Sequence, residues 1–328
     1  VTDALELTYA SGLSVEPGVP LGPHTSLKIG GPADFFARAR DARELSRCLS
    51  AAQSLGVPWL LLGGGSNMLI SDRGFRGLAI KVEAPPGQRN RGEVLQETGH
   101  TVRLRCQAGA FSAGLARWTA GLGWHDLEWA CGIPGTIGGA AAGNAGAYDG
   151  DMARSVERVR AWFPEGERTL EGAEMEFQYR ASRFKSRPPP GQPAPGPATR
   201  SAPPGAILAV ELRLTPGTPA AALARIEAYE RQRREKQPTE RSCGSVFKNP
   251  PSDHAGRLID VAGLKGAAVG GAQISLKHGN FFVNRGQARA ADVVALVRLA
   301  RRRVEEESGV RLETEILFAG DWAPEDLP

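Results

Sequence analysis

The chain has 328 residues, 41% of them hydrophobic and 23% charged, proportions that exclude a disordered or fibrous protein. At this length one modest core is excluded and two or three domains are expected. Forty basic against 36 acidic residues leave a net charge of +4, a surplus too small for a polybasic tail and as suited to small anionic ligands as to nucleic acid.

The opening "VTDALELTYA" carries acids where a secretory leader needs positive charge, and no later run approaches the ~18 apolar residues of a membrane span. A cytoplasmic protein without membrane attachment is expected. A loop ending at "HTSLKIGGPADFFARARD" leads to a helix: Asp41 and Glu44 form a capping-box pattern ahead of Leu45, Cys48, Leu49, Ala52 and Leu55, which share one face. "VPWLLLG" reads as a buried strand, and "GLAIKV" as another after the loop "GGGSNMLISDRGF". The polar stretch 84–100 reads as a domain boundary. Beyond it "TVRLRC" alternates as a strand and "FSAGLARWTAGLG" reads as a short helix.

Next comes "IPGTIGGAAAGNAGAY", residues 133–148, five glycines and five alanines in sixteen positions. Each interior glycine costs a helix about 1 kcal/mol relative to alanine, so this stretch suits close approach better than helix stability. Strands "VERVRAWF" and "AILAVELRL" bracket the Pro- and Gly-rich segment 188–204, expected as a mobile loop. Helix "PAAALARIEAYERQRREKQ" opens a third region. That region closes with helix "ARAADVVALVRLARRRVEEESG", where Val293, Leu296, Val297, Ala300 and Val304 form one stripe, and strand "VRLETEILFAG". No internal repeat is visible, and the pattern is α+β with several small domains.

Cys48, Cys106, Cys131 and Cys243 lack CxxC spacing, and the five histidines form neither HExxH nor a Cys/His cluster. Disulfides and a metal site are therefore not expected. Two glycine loops stand out: Gly63, Gly64, Gly65, Ser66 and Asn67, and the run from Gly132 to Gly146. Such loops bind phosphates because successive backbone N–H groups converge on an anion where no Cβ intrudes. The GxGxxG fingerprint fails, since Met68 stands where its third glycine belongs, and no GxxxxGK[ST] occurs. A lone GGG is as readily a tight turn. Two such loops, with Pro134, Gly135, Thr136 and Asn144 as polar hooks, favour a long ligand bearing a diphosphate. The basic runs "RQRREK" and "RLARRR" lack interleaved aromatics and carry nearby glutamates, which argues against nucleic acid.

"TSLKIGGPAD", "LLGGGSNMLI", "GIPGTIGGAAAGNAGAY", "YRASRFK", "CGSVFKNP" and "GLKGAAVGGAQISLKHGNFFVN" follow one another along the chain. In that order and approximate spacing they resemble the UDP-N-acetylenolpyruvoylglucosamine reductase family of peptidoglycan precursor synthesis, from about Pro23 to Phe318. The resemblance implies an FAD-binding fold of two α+β subdomains, like that of vanillyl-alcohol oxidase, plus a C-terminal α+β substrate domain. On that pattern residues 1–83 form the first subdomain, with 316–328 returning to it. Residues 84–215 form the second, and 216–315 the substrate domain.

It further implies noncovalent FAD, held by Gly63, Gly64, Gly65, Ser66, Asn67, Gly132, Ile133, Gly135, Thr136, Gly138, Gly139 and Asn144. NADPH is the implied co-substrate and UDP-N-acetylglucosamine enolpyruvate the substrate, with hydride passing to C3 and a proton to C2; a monomer is expected. Arg180 matches the arginine that clamps the substrate carboxylate, a task for a planar, permanently charged fork. Ser245 matches the proton donor. Cys243, a better acid in free solution, is the rival. Glu315 matches the residue that assists at the enol and is expected to hold or share a proton with substrate bound. Glu313, two residues away, should share its face, and period alone cannot choose between them.

Tyr179, Lys236, Asn249 and Gln273 match substrate contacts, with Lys277 and His278 as further candidates for the nucleotide's diphosphate. The sequence departs from one form of the family. That form inserts a tyrosine-bearing loop after the arginine motif, whereas the segment 188–204 has no tyrosine, so this chain resembles the shorter form. Another FAD oxidoreductase of the same cofactor-binding fold, or a non-catalytic nucleotide-sugar binder, are the rival readings. The former often attaches flavin through His or Cys, and residues 63–67 contain neither.

Overall fold

The computed structural model describes residues 2–185 and 205–328; the segment 188–204, read above as a mobile loop, lies outside the described residues. Three sheets of four or more strands carry the fold. The first has the order Val15–Pro17, Ala33–Ala39, Phe75–Val82, Trp59–Leu62. Its last three strands run parallel, and Val15–Pro17 is antiparallel to its neighbour. Helix Ala42–Ser54 makes the crossover and buries Leu45, Cys48, Leu49 and Ala52. The Asp41 carboxylate accepts from the Glu44 amide at 2.8 Å, while the Glu44 carboxylate reaches the Arg40 amide at 2.8 Å, one residue before the position a strict capping box uses.

Strand Ala33–Ala39 corrects the sequence reading, which left this segment in a loop. Ala33, Phe36, Ala37 and Ala39 are buried, Phe36 on the face opposite Ala37 and Ala39. Three of these four are alanines and two charged residues interrupt the run, so the hydrophobic alternation that marks a strand is faint.

The second sheet is antiparallel, in the order Gly166–Glu171, Val156–Phe163, Ala206–Pro216, Val102–Gln107, Glu93–Glu97, with Trp124–His125 also on Ala206–Pro216. The polar stretch read as a boundary thus contains the edge strand Glu93–Glu97, exposed at each residue. Charged, solvated residues are what an unpaired sheet edge tolerates. Helices Ser112–Gly121 and Pro219–Lys236 pack on each other beside it.

The third sheet has the order Ser242–Ser245, Phe281–Asn284, Ala272–Ile274, Ala268–Val269. Helix Ala290–Ser308 covers it with the predicted stripe Val293, Leu296, Val297, Ala300 and Val304 buried. The strand expected over "VRLETEILFAG" is cut to Leu317–Ala319. The reason lies in where its hydrogen bonds go. Upstream, the Lys248 amide donates to Glu313 at 2.8 Å and the Glu315 amide to Val246 at 2.8 Å; then the Leu317 amide turns to Asn67 at 3.0 Å. From there Leu317–Ala319 pairs in parallel with Met68–Ile70. The chain changes sheets at Glu315. Among the described residues no helix is long and apolar enough to cross a membrane, and the four cysteines are buried and unpaired.

Candidate active site

The first glycine loop follows strand Trp59–Leu62 and the second precedes the short helix Ile137–Ala142, which Thr136 caps at the Gly139 amide. The two loops meet. The Ser66 hydroxyl donates to the Pro134 carbonyl at 2.9 Å. A Cβ on Gly64 would stand 2.5 Å from the Gly135 Cα, and one on Gly63 2.5 Å from the Thr136 hydroxyl. Gly65, at φ +60°, lies so near the His24 carbonyl that a Cβ would come within 2.5 Å of it. Gly132 is pressed against the Arg233 side chain and Gly138 against Ala108, both at 2.7 Å from such a Cβ; Gly139 has 3.5 Å of room. Gly63 and Gly64 therefore serve the seam between the loops, while Gly65, Gly132 and Gly138 serve close packing against other segments.

The first loop carries donors suited to an anion: the main-chain N–H groups of Gly64, Gly65, Ser66 and Asn67 donate to no other described residue. Successive unpaired amides in a half-buried turn are the donor set a diphosphate needs. Ile133 is half-buried. Asn144 is buried and spends its side chain on the protein: Nδ2 donates to the Gln178 carbonyl at 2.9 Å and Oδ1 accepts from the Ala153 amide at 3.1 Å.

Those bonds build the turn that presents Arg180. This residue has φ +57°, a left-handed conformation that costs a side-chain-bearing residue of order 1 kcal/mol and persists only where neighbours over-determine it. Asn144 on Gln178 is one such neighbour, and the Ser182 hydroxyl on the Ala142 carbonyl at 2.7 Å is another. The guanidinium then donates from Nε to Glu315 Oε1 at 2.8 Å and from Nη2 to the Gly146 carbonyl at 2.9 Å. Tyr179, half exposed, lies under it with 5.0 Å between guanidinium and ring centroid.

Glu315 is where the motifs converge. Its carbonyl accepts from Asn67 Nδ2 at 3.4 Å and from Lys185 Nζ at 3.3 Å, its amide donates to Val246, and its carboxylate holds Arg180. The first glycine loop, the arginine motif and the serine strand are thereby tied to one residue. The neighbouring Ser26 hydroxyl sits between the Ser242 carbonyl at 2.7 Å and the Gly65 carbonyl at 3.3 Å, a second tie. Ser245 is half-buried and follows an irregularity in its strand, with Gly244 at φ +75°. Such a bulge re-aims the side chain after it.

The choices the sequence left open separate here. Glu313 pairs with Lys248 and is 43% exposed, whereas Glu315 is 15% exposed against Arg180. Shared strand parity did not bring the two carboxylates to one partner. Cys243 is fully buried, and burial pushes its thiol up to about 12, which makes it a worse acid than in free solution.

The other substrate candidates are dispersed. Lys236 is the exposed last residue of helix Pro219–Lys236. Asn249 accepts from the Ala255 amide at 3.1 Å and so supports helix Ala255–Val261. Gln273 donates to the Gly266 carbonyl at 2.9 Å and accepts from Arg285 at 3.1 Å. Lys277 donates to the Arg234 carbonyl. The His278 imidazole is held below its ordinary range by burial and then by Lys265. No group of three or more potential metal ligands occurs among the described residues.

Residues 33–170 match the family model of an FAD binding domain, and residues 237–319 that of the UDP-N-acetylenolpyruvoylglucosamine reductase C-terminal domain. The chain is 42% identical over 305 residues to the UDP-N-acetylenolpyruvoylglucosamine reductase of Chloroflexus aggregans, covering 93% of this chain and 97% of that one. It is 40% identical over 311 residues to that of Anaeromyxobacter dehalogenans, covering 94% and 86%. Among solved structures, the UDP-N-acetylenolpyruvylglucosamine reductase of Thermus caldophilus is similar at a TM-score of 0.74 and 35% identity, covering 94% of this chain and 99% of that one. The α+β architecture, with its FAD-binding domain and C-terminal domain, is that of these relatives. The chain belongs to the UDP-N-acetylenolpyruvoylglucosamine reductase family.

Proposed function

We propose that this chain reduces the enolpyruvyl ether of a UDP-N-acetylglucosamine to the lactyl ether of UDP-N-acetylmuramate at the expense of NADPH. The observation that carries the reading is the convergence on Glu315 of Arg180, Asn67, Lys185 and the strand of Ser245. FAD, when bound, supplies the route by which hydride from NADPH reaches C3 of the enol ether. Gly64 to Asn67 and the facing Gly135 and Thr136 would hold its diphosphate with main-chain amides, while Asn144 acts by holding the Arg180 turn.

Hydride addition at C3 leaves negative charge at C2, in conjugation with the substrate carboxylate. Arg180 stabilises that charge as a fixed cation placed where charge develops. Glu315 holds the N–H on Nε and Gly146 one N–H on Nη2, which leaves both N–H groups of Nη1 and the second of Nη2 for a substrate carboxylate. Ser245 protonates C2 from its hydroxyl, a weak acid that works only as the carbanion forms beside it. Glu315, whose carboxylate lies against Arg180, is assigned to assist at the enol. Tyr179, Lys236, Asn249 and Gln273 are assigned to the sugar nucleotide.

The test uses the purified protein with FAD. NADPH oxidation should be slow without the enolpyruvyl sugar nucleotide and fast with it. In Ser245→Ala, bleaching of the flavin by NADPH should persist while its reoxidation by substrate slows; equal loss in both halves refutes the proton-donor role. Protein that cannot be reconstituted with FAD at all would favour a nucleotide-sugar binder.

A further inference from the structure

The sheet that delivers the first glycine loop also delivers a cation to it. Strands Ala33–Ala39, Phe75–Val82 and Trp59–Leu62 run parallel, so their carboxyl ends lie together, and this is the end at which open parallel sheets bind ligands. Lys81 stands opposite Leu62 in the register, one residue before Gly63. Its ammonium donates to the Gly63 carbonyl, and among the described residues no carboxylate pairs with it.

The ammonium sits among its own kind. It is half-buried; burial depresses its pKa, Arg38, Lys28 and Arg89 push the same way, and Glu83 alone opposes them. Glu83 is already engaged by Arg38 at 3.0 Å. Lys81, Arg38 and Lys28 also bear on His24, whose carbonyl backs Gly65. Arg89 comes from the other side of the seam: its guanidinium lies 4.6 Å from the Phe111 ring centroid, and Phe111 bridges to Thr136 of the second loop. Half-buried Lys81 and Arg38, with the exposed Lys28 and Arg89 nearby, set four cations against one carboxylate, and a half-buried ammonium with no paired carboxylate gains from an anion that joins it. The unpaired amides of residues 64–67 face the same need.

We propose that Lys81 is a cofactor-binding residue that supplies the counter-charge to the diphosphate of the dinucleotide, an assignment that rests on the FAD reading above. An ammonium fixed by the loop's own carbonyl brings charge to the cradle without adding a side chain to it. The phosphates then gain a charge-assisted contact in addition to neutral amides.

The test is a fluorescence titration of the full-length apoprotein with FAD and, separately, with riboflavin, which has the same ring and no phosphate. Lys81→Met keeps the aliphatic stem and removes the charge. It should weaken FAD about 10- to 100-fold, the range of one charge-assisted hydrogen bond, and flatten the salt dependence of FAD binding. Riboflavin affinity should stay within about twofold, because no phosphate contact is lost. Lys81→Gln keeps a donor for the Gly63 carbonyl without the charge and should follow Met, whereas Lys81→Arg should stay near wild type. Circular dichroism melts of each apoprotein check folding. Met and Gln variants that bind FAD as wild type does, or that weaken FAD and riboflavin alike, overturn the assignment. Wild-type protein that binds neither flavin overturns the FAD reading itself, so the two failures are distinguishable.

Discussion

Glu315→Gln, set against Glu313→Gln, probes the choice that strand periodicity could not make. In the native protein the Glu315 carboxylate accepts from Arg180 at 2.8 Å with the two side chains 15% and 23% exposed. Glutamine keeps an oxygen at that place but removes the charge. A charged hydrogen bond contributes about 1.5–3 kcal/mol and a neutral one about 0.5–1.5, so the loss should be about 1 kcal/mol, or roughly 2–4 °C in Tm. The effect on rate should be far larger, because an amide cannot replace a carboxyl group in acid–base assistance at the enol: reoxidation of reduced flavin by substrate should fall about 10²- to 10⁴-fold. Glu313→Gln removes a carboxylate that is 43% exposed beside Lys248, worth about 0–1 kcal/mol, and should leave both half-reactions within about twofold. Stopped-flow absorbance of the flavin in each half-reaction, with thermal melts alongside, measures all of these quantities. Should Glu313→Gln slow the substrate half as much as Glu315→Gln, or should Glu315→Gln slow only the NADPH half, the reasoning from convergence is refuted.

Two further perturbations test the scaffold. Gly64→Ala drives a methyl to 2.5 Å from the Gly135 Cα, a backbone atom that cannot swing aside, and should cost about 1–3 kcal/mol of stability with a matching loss of FAD affinity. Gly139→Ala, with 3.5 Å of room on a helix, should be neutral or stabilising by up to about 1 kcal/mol; equal melting points for the two variants would count against the packed seam. His278 is held below its ordinary range chiefly by burial, so the folded state resists a proton that the unfolded chain accepts at about pH 6.5. Its stabilising contribution is therefore full above that pH and lost as pH falls from there through the lower folded value, at no more than about 1.4 kcal/mol per unit. Urea denaturation at pH 7.5 and 5.5 should show a smaller pH loss in His278→Gln than in wild type. An identical loss in the two proteins refutes the assignment.

Long periodic elements were legible in the sequence because side-chain period and burial coincide. The stripe of helix Ala290–Ser308 and strand Val156–Phe163 appear as written. Strand Ala33–Ala39 was hidden because its buried residues are mostly alanine, and the edge strand Glu93–Glu97 because an edge needs no hydrophobic face. The site was legible as a set of motifs but not as an arrangement. Nothing in "RLETEILF" reveals that the chain changes partners at Glu315, since that depends on hydrogen bonds to Val246 and Asn67 far along the sequence. Lys81 was missed because a lone lysine in "GLAIKV" looks like an outward strand residue; its position opposite Leu62, next to the loop, exists only once the parallel register does. Asn144 carried a signal in its place beside the glycines, yet its side chain is spent on the turn behind Arg180.

The parallel pairing of Leu317–Ala319 with Met68–Ile70 has a consequence for biosynthesis. A nascent chain displays both glycine turns long before the ribosome adds the residue that unites them with the arginine and the serine. Such far-separated contacts are slow to form because loop closure must precede any reward. Until then the first glycine loop lacks its tie to Glu315. The site is thus complete only after Glu315 and Leu317–Ala319 have been made, and a chain cut short before Glu315 lacks the residue that ties Arg180 to the first glycine loop.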